Sequence, residues 1–280
     1  MIWASSGPGY TWESTFGLVK DKHPPAYYLL LHFWRELLKP FGLGSNDAAL
    51  RLLGSLLGML TVLGVLLLVR RLSGRPTALL AGGLVALSPA LVWYSQELRM
   101  FQPATTALVW AAYCLMMASA TLQRGRRIAW WVGMVAAFTL ALYSYLFAAF
   151  VLPAAGVVLL GVLWGWVRER KSRGEDGGSR RGRLRSEDGE PSGLVVFVEG
   201  AVALVVTGGL FLPLARNAWL ANSNDGTPGT AFMNFGANMV RQLQVATVWR
   251  VDWAEPGVMA ALTFLAALLV VGLLLPWRRR

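Results

Sequence analysis

Cysteine is almost absent from this sequence, with Cys114 the only one in 280 residues. A disulfide framework and a cysteine-based metal site are therefore excluded, and the apolar run around Cys114 predicts buried packing. The sequence also lacks a phosphate-binding P-loop, an HExxH zinc pattern and a glycine-rich dinucleotide motif. Residues 1–25 contain no apolar h-region, so no cleavable signal peptide is predicted.

Charged residues are scarce as well, at 15% of the chain, against about 25% in a typical soluble domain. Apolar residues make up 55% of the chain and occur in long uninterrupted runs. These runs have the length of bilayer spans and lack the alternation of membrane β-barrel strands. The predicted fold class is therefore an all-α polytopic transmembrane helical bundle, because only helices or closed barrels satisfy backbone groups in lipid.

Apolar windows predict about seven transmembrane helices plus an interfacial helix. Residues 26–38 are apolar but too short to span, and they end in Arg35 and Glu36, which favours a position at the membrane surface. A block of roughly forty apolar residues is too long for one crossing, so we place a break near Tyr143-Ser144-Tyr145. The predicted spans are 49–69, 77–93, 103–120, 128–143, 147–167, 194–213 and 257–275.

The basic residues predict how the bundle is oriented. Loops 70–76, 121–127 and 168–193 and the tail 276–280 hold three, three, eight and three of the 26 Lys and Arg residues. The positive-inside rule makes these segments cytoplasmic. The net charge of +11 thus indicates membrane orientation and attraction to lipid head groups, and a nucleic-acid partner is not expected. The external face receives 1–48, 94–102, the turn at Tyr143-Tyr145, and 214–256.

Four parts follow from this topology. Residues 1–48 form an external loop with the interfacial helix, and residues 49–167 hold five transmembrane helices. Residues 168–193, rich in Arg, Ser, Gly and acidic residues, are predicted to be a disordered cytoplasmic loop. Residues 194–280 hold two helices flanking the external loop 214–256. We expect a multi-pass protein of the plasma membrane, specifically a prokaryotic inner membrane, with its active face external.

Two polar segments lie at the predicted external face. In the first, Asp21 and His23 precede Pro24-Pro25, which fixes two φ angles and starts a rigid platform for the aromatic helix that follows. The alternative is that Asp21 is a helix-entry charge and His23 a surface residue.

The second segment contains Glu97 and Arg99, where the second span ends. Residues two apart on a helix do not face each other, so we expect each to reach a different partner. The forked guanidinium of Arg99 is suited to binding a phosphate or a carboxylate. The Glu97 carboxylate is suited to binding a metal, a sugar hydroxyl or Arg51. The alternative for Glu97 and Arg99 is a charge pair that only sets helix register. The alternative for Arg51 is that its side chain snorkels to the interface.

These segments resemble a known family through three motifs in order. They are Asp-x-His-Pro-Pro-x-Tyr-Tyr from Asp21, Ala-Leu-Arg-Leu around Arg51, and Leu-Ser-Pro followed by Tyr-Ser-Gln-Glu-x-Arg-Met-Phe up to Phe101. The sequence resembles the GT-C glycosyltransferases of the dolichyl-phosphate-mannose/protein mannosyltransferase type (glycosyltransferase family 39). The resemblance implies transfer of a sugar, such as mannose, from a polyprenyl-phosphate donor to a protein, lipid or glycan acceptor on the external face.

The same resemblance implies roles for individual residues. Catalysis in the family is assigned to an Asp, usually in an Asp-Glu pair, acting as general base; here Asp21 and Glu97 are the catalytic candidates. The resemblance assigns no definite cofactor and leaves a divalent cation as an alternative. No residue is assigned as a metal ligand. Membrane lipids are expected neighbours. The substrate-binding candidates are His23, Tyr27, Tyr28, Arg51, Gln96 and Arg99.

The chain departs from the family pattern at its start, where no span and no Asp-Glu pair precede the His-Pro-Pro platform. We therefore expect a fragment whose usual catalytic Asp lies upstream of Met1, and which is inactive alone unless Glu13 substitutes. Two other functions remain open. A transporter or flippase for a lipid-linked substrate would place polar residues in mid-span, and a membrane scaffold would make the shared polar face accidental.

Overall fold

The computed structural model describes the backbone of residues 24–175 and 192–223, and the side chains of residues 24–168 and 192–216. Every regular element in these ranges is a helix, which confirms the all-α prediction. The helices are α1 (Ala26–Leu38), α2 (Asp47–Ser73), α3 (Arg75–Ala86), α4 (Pro89–Gln96), α5 (Phe101–Ala120), α6 (Arg124–Ser144), α7 (Leu152–Glu175) and α8 (Gly193–Ser223), with 3₁₀ turns at Lys39–Phe41 and Leu146–Val151.

The membrane-spanning prediction agrees with these helices. Five segments are long and apolar enough to cross a membrane: Asp47–Ser73, Phe101–Ala120, Arg124–Ser144, Leu146–Arg168 and Gly193–Arg216. The predicted interfacial helix at 26–38 matches α1. The break expected near Tyr143-Ser144-Tyr145 is confirmed, because Tyr145 is extended and ends α6. The seventh predicted span, 257–275, lies outside the described residues.

The second predicted span, 77–93, is not one straight helix. α3 and α4 meet at an angle of 56° across a short break. Pro89 at the start of α4 cannot donate a backbone hydrogen bond and disfavours a helical conformation at Ser88, which is extended. Together the two helices are long and apolar enough for one span, and the bend between them fits either a broken crossing or a re-entrant loop.

Local sequence also sets both ends of α2. The Asn46 side chain accepts a hydrogen bond from the Ala49 amide at 3.1 Å, and Asp47 places a negative charge in the first turn. Gly74 ends the helix at φ +89°, a backbone conformation that favours glycine, and lets α3 begin at once. α2 and α3 therefore form a tight antiparallel pair.

The largest buried core joins α5, α6, α7 and α8. Met134 and Ala111 are fully buried in it. Large apolar residues elsewhere are exposed on the bundle surface, Leu79 by 70% for example, as expected for helices whose outer faces meet lipid chains. A buried ion pair crosses this core near the start of α6, where Arg127 Nε lies 2.6 Å from Glu199 Oε2 of α8. No local sequence pattern links these two residues.

Candidate functional site

α1 packs across the start of α2 and places the described part of the first polar segment beside the second. Tyr27 and Leu31 of α1 are buried against Leu50 and Leu53 of α2, a group named here the platform cluster. Leu98 and Met100, from the loop after α4, pack against the same cluster. The two segments therefore share one end of the bundle, as their sequence positions predicted.

Two further contacts stabilise this end. The indole Nε1 of Trp34 donates a hydrogen bond to the carbonyl of Ala49 at 3.0 Å, which ties α1 to the first turn of α2. The ring of Phe101 lies 4.8 Å from that of Tyr94 and 5.1 Å from that of Tyr145. The turn after α6 thus lies at the same end as the 97–100 loop, consistent with the predicted topology.

Arg51 connects α2 to the end of α4. Its Nη1 donates to the backbone carbonyl of Gln96 at 3.0 Å, and its Nη2 lies 3.6 Å from Asp47 Oδ2. Arg51 was one of the partners left open for Glu97; in the structure Glu97 instead contacts Trp93 and Arg99. Half of the Arg51 side chain remains exposed, so the guanidinium retains donors for another group. Gln96 contributes its carbonyl here, and its side chain is exposed.

Glu97 and Arg99 form a direct ion pair, with Arg99 Nε 3.6 Å from Glu97 Oε2. Residues two apart on a helix do not face each other, so helical spacing predicts no such contact; a charge pair was the alternative interpretation. α4 instead ends at Gln96, and residues 97–99 form a bend, so the helical spacing rule does not apply to them. Trp93 Nε1 donates to Glu97 Oε1 at 2.7 Å and orients the carboxylate. Arg99 is 66% exposed.

The remaining candidates occupy different environments. Tyr27 is a buried packing residue, and burial raises the pKa of its hydroxyl far above the usual value, so the group stays neutral. Its ring makes an edge contact with the partly buried Tyr28 at 5.5 Å. Asp21 and His23 lie outside the described residues, and only Pro24 and Pro25, both buried, represent their segment.

A buried polar network, which the sequence analysis missed, lies below the site. Thr61 Oγ1 and Thr106 Oγ1 are 2.8 Å apart, and Gln102 Nε2 donates to Thr61 at 3.0 Å. These helices border a cavity of about 440 Å³ between α2 and the bent pair, lined mainly by apolar side chains and by Gln102 and Ser95. The sequence did contain a sign of this network. Gln102 and Thr106 are four residues apart, so they are neighbours on a helix face that is otherwise rich in alanine.

The arrangement is suited to holding an anion at the end of the bundle. Two partly exposed guanidiniums lie on segments joined by the Arg51–Gln96 hydrogen bond. Guanidinium donors match the geometry of phosphate. Within the described residues, no three His, Cys, Asp or Glu side chains are grouped as metal ligands would be. Asp47 and Glu97 each face an arginine instead.

Comparison with known proteins gives one family. A model described as dolichyl-phosphate-mannose-protein mannosyltransferase matches residues 22–173, or 152 of 280 positions (173 − 22 + 1), more than half the chain. The match covers the segments of Arg51, Glu97 and Arg99. No curated protein and no solved structure matches the chain. The chain therefore belongs to the dolichyl-phosphate-mannose-protein mannosyltransferase family, as its three sequence motifs indicated.

Proposed function

We propose that this chain is a membrane glycosyltransferase that takes mannose, or another hexose, from a polyprenyl-phosphate donor. Family membership supports a membrane mannosyltransferase-type function in general. The observation that carries the finer proposal is the placement of Arg51 and Arg99. Both are at least half exposed, and both lie on segments that meet at one end of the bundle.

The chemistry of the donor explains why two arginines would be needed there. When the acceptor hydroxyl attacks the sugar C1, the bond from C1 to the phosphate oxygen breaks and negative charge accumulates on the departing lipid phosphate. Fixed cations near that oxygen stabilise the developing charge. The acceptor proton passes to a carboxylate acting as general base. Asp21 and Glu97 are the candidates for this role or for positioning the sugar.

The donor's position in the membrane fits the same end of the bundle. Its phosphate would lie at the membrane surface beside Arg51 and Arg99, while its isoprenoid chain would enter an apolar groove between helices. We propose the external face of the plasma membrane as the site of transfer, since the basic loops are predicted to be cytoplasmic. The acceptor is a hydroxyl of a protein, with a lipid or glycan as alternatives.

Donor binding by the reconstituted 280-residue chain tests this proposal. Radiolabelled polyprenyl-phosphate mannose is titrated against wild type, Arg99→Ala and Arg71→Ala in liposomes. Arg99→Ala should weaken binding about tenfold or more, the effect of losing one charge-assisted hydrogen bond. Arg71→Ala is the control, because Arg71 is also exposed but lies at the opposite end of α2. Wild-type affinity in the Arg99 variant would contradict the proposal.

A further inference from the structure

Two glycines of α2 make the closest approach between that helix and α4. A methyl group built at Gly54 would overlap the backbone carbonyl oxygen of Ser95, and one at Gly58 would lie 3.2 Å from Ser95 Cβ. Glycine inside a helix is destabilising relative to alanine. At Gly54 the missing side chain instead allows a neighbouring backbone to pack directly on the helix.

This contact lies beside the candidate site. Gly54 is one helical turn from Arg51, and Ser95 immediately precedes Gln96, whose carbonyl accepts the Arg51 hydrogen bond at 3.0 Å. Ser95 Oγ also donates to the Val92 carbonyl at 2.7 Å, which holds the last turn of α4 in place. The distance between the two helix backbones therefore sets where the Glu97–Arg99 segment begins relative to Arg51.

We propose that Gly54 and Gly58 are positioning residues for the donor phosphate. By letting Ser95 approach α2, they fix where the segment that carries Arg99 begins relative to Arg51. A side chain at Gly54 must push Ser95 outward, since the obstacle is backbone and cannot rotate away. That movement breaks the Arg51–Gln96 hydrogen bond and carries Arg99 with it. The proposal rests on the proposed function for its ligand, but its geometry can be measured without one.

The first measurement is a distance. Spin labels at exposed positions 48 and 96 are introduced as Ala48→Cys and Gln96→Cys, with Cys114→Ala to remove the native thiol. Gly54→Ala should lengthen the distance between the labels. Gly83→Ala is the matched control, because Gly83 is also helical and nothing lies within 4 Å of a methyl group built there. An unchanged label distance in Gly54→Ala overturns the proposal.

The second measurement is affinity for polyprenyl phosphate, with thermal stability recorded beside it. Gly54→Ala should bind about tenfold more weakly, the effect of losing one charge-assisted hydrogen bond to the phosphate, while Gly83→Ala binds as wild type. The positioning role is overturned if Gly54→Ala binds weakly while its label distance is unchanged. It is also overturned if the label distance increases while binding stays at the wild-type level. If the wild-type chain binds no polyprenyl phosphate, the proposed function is refuted. The label distances then still test whether Gly54 sets the separation of α2 and α4.

A rescue experiment covers the case in which Gly54→Ala does not fold. The obstacle at Gly58 is the Ser95 side chain, so Gly58→Ala should weaken binding to a smaller extent. Adding Ser95→Gly removes that side chain and should restore both the label distance and the affinity. Failure of the double variant to recover, when Ser95→Gly alone binds normally, overturns the proposal.

Discussion

Replacing Glu199 by glutamine would remove the negative charge from a buried ion pair that joins α6 to α8. Arg127 donates to both carboxylate oxygens, from Nε at 2.6 Å and from Nη2 at 3.0 Å. Trp131 Nε1 donates a third hydrogen bond at 3.0 Å. The Arg127 side chain is only 5% exposed. Glutamine keeps the shape of the side chain but offers a single oxygen to these three donors.

The size of the effect follows from burial. Removing one partner of a buried pair costs about 3–5 kcal/mol, because the other charge is left uncompensated. Here Glu199 is 23% exposed, and Arg127 Nη1 also lies 3.2 Å from the Leu122 carbonyl. Both features place the expected loss near the lower end, at about 3 kcal/mol. Replacing both charged residues together by methionine should recover most of that loss, since no charge then remains buried.

Equilibrium unfolding in mixed detergent micelles measures this prediction. Glu36→Gln is the matched control, because the Glu36 carboxylate lies 2.7 Å from Lys39 Nζ but both side chains are exposed. An exposed pair contributes little, so no measurable change in the free energy of unfolding is expected there. The reasoning is refuted if Glu199→Gln is as stable as wild type. It is also refuted if the double methionine variant is no more stable than Glu199→Gln.

Two other predictions concern the candidate site. Burial raises the pKa of the Tyr27 hydroxyl above the value of about 10 that it has in the unfolded chain. The stability that this group contributes is therefore fully present below pH 10, and it is lost as the pH rises above 10 because only the unfolded chain then ionises. Wild type should therefore lose up to about 1.4 kcal/mol per pH unit above pH 10 relative to Tyr27→Phe, and parallel stability curves would contradict this. Glu97→Gln should tighten binding of bare polyprenyl phosphate about twofold to fivefold, because the exposed Arg99 loses the carboxylate that competes with phosphate for it; weaker binding in the same titration would contradict it.

Hydropathy predicted the spans well because each crossing must satisfy its own backbone and cover it with apolar side chains. Such a requirement is local, so the helices at 47–73 and 101–120 could be predicted without knowing their neighbours. The break at Tyr145 followed from length alone. The order of the loops also predicted which polar segments share an end of the bundle, and α1 packs where that prediction placed it.

The errors arose where neighbouring structure decides the outcome. Because α4 ends at Gln96, residues 97–99 leave the helix and bend, and Glu97 contacts Arg99 there. Arg127 was counted among loop residues, although α8 lies close enough to cover it with Glu199. The residues needed for this contact are 72 positions apart, and no local pattern links them.

The ion pairs of the described bundle differ in how tightly they hold their arginines. Arg127 and Glu199 are joined at hydrogen-bond distance and are largely buried, so their donors are already committed. In the pairs Arg51–Asp47 and Arg99–Glu97 the charged atoms are 3.6 Å apart, beyond the usual hydrogen-bond distance. Both arginines are at least half exposed, whereas Glu97 is partly buried. The short contact of Arg51 is to a neutral carbonyl, at 3.0 Å. A phosphate could therefore engage both arginines without breaking a strong carboxylate contact. The nearby carboxylates would stay free to contact a sugar or accept a proton.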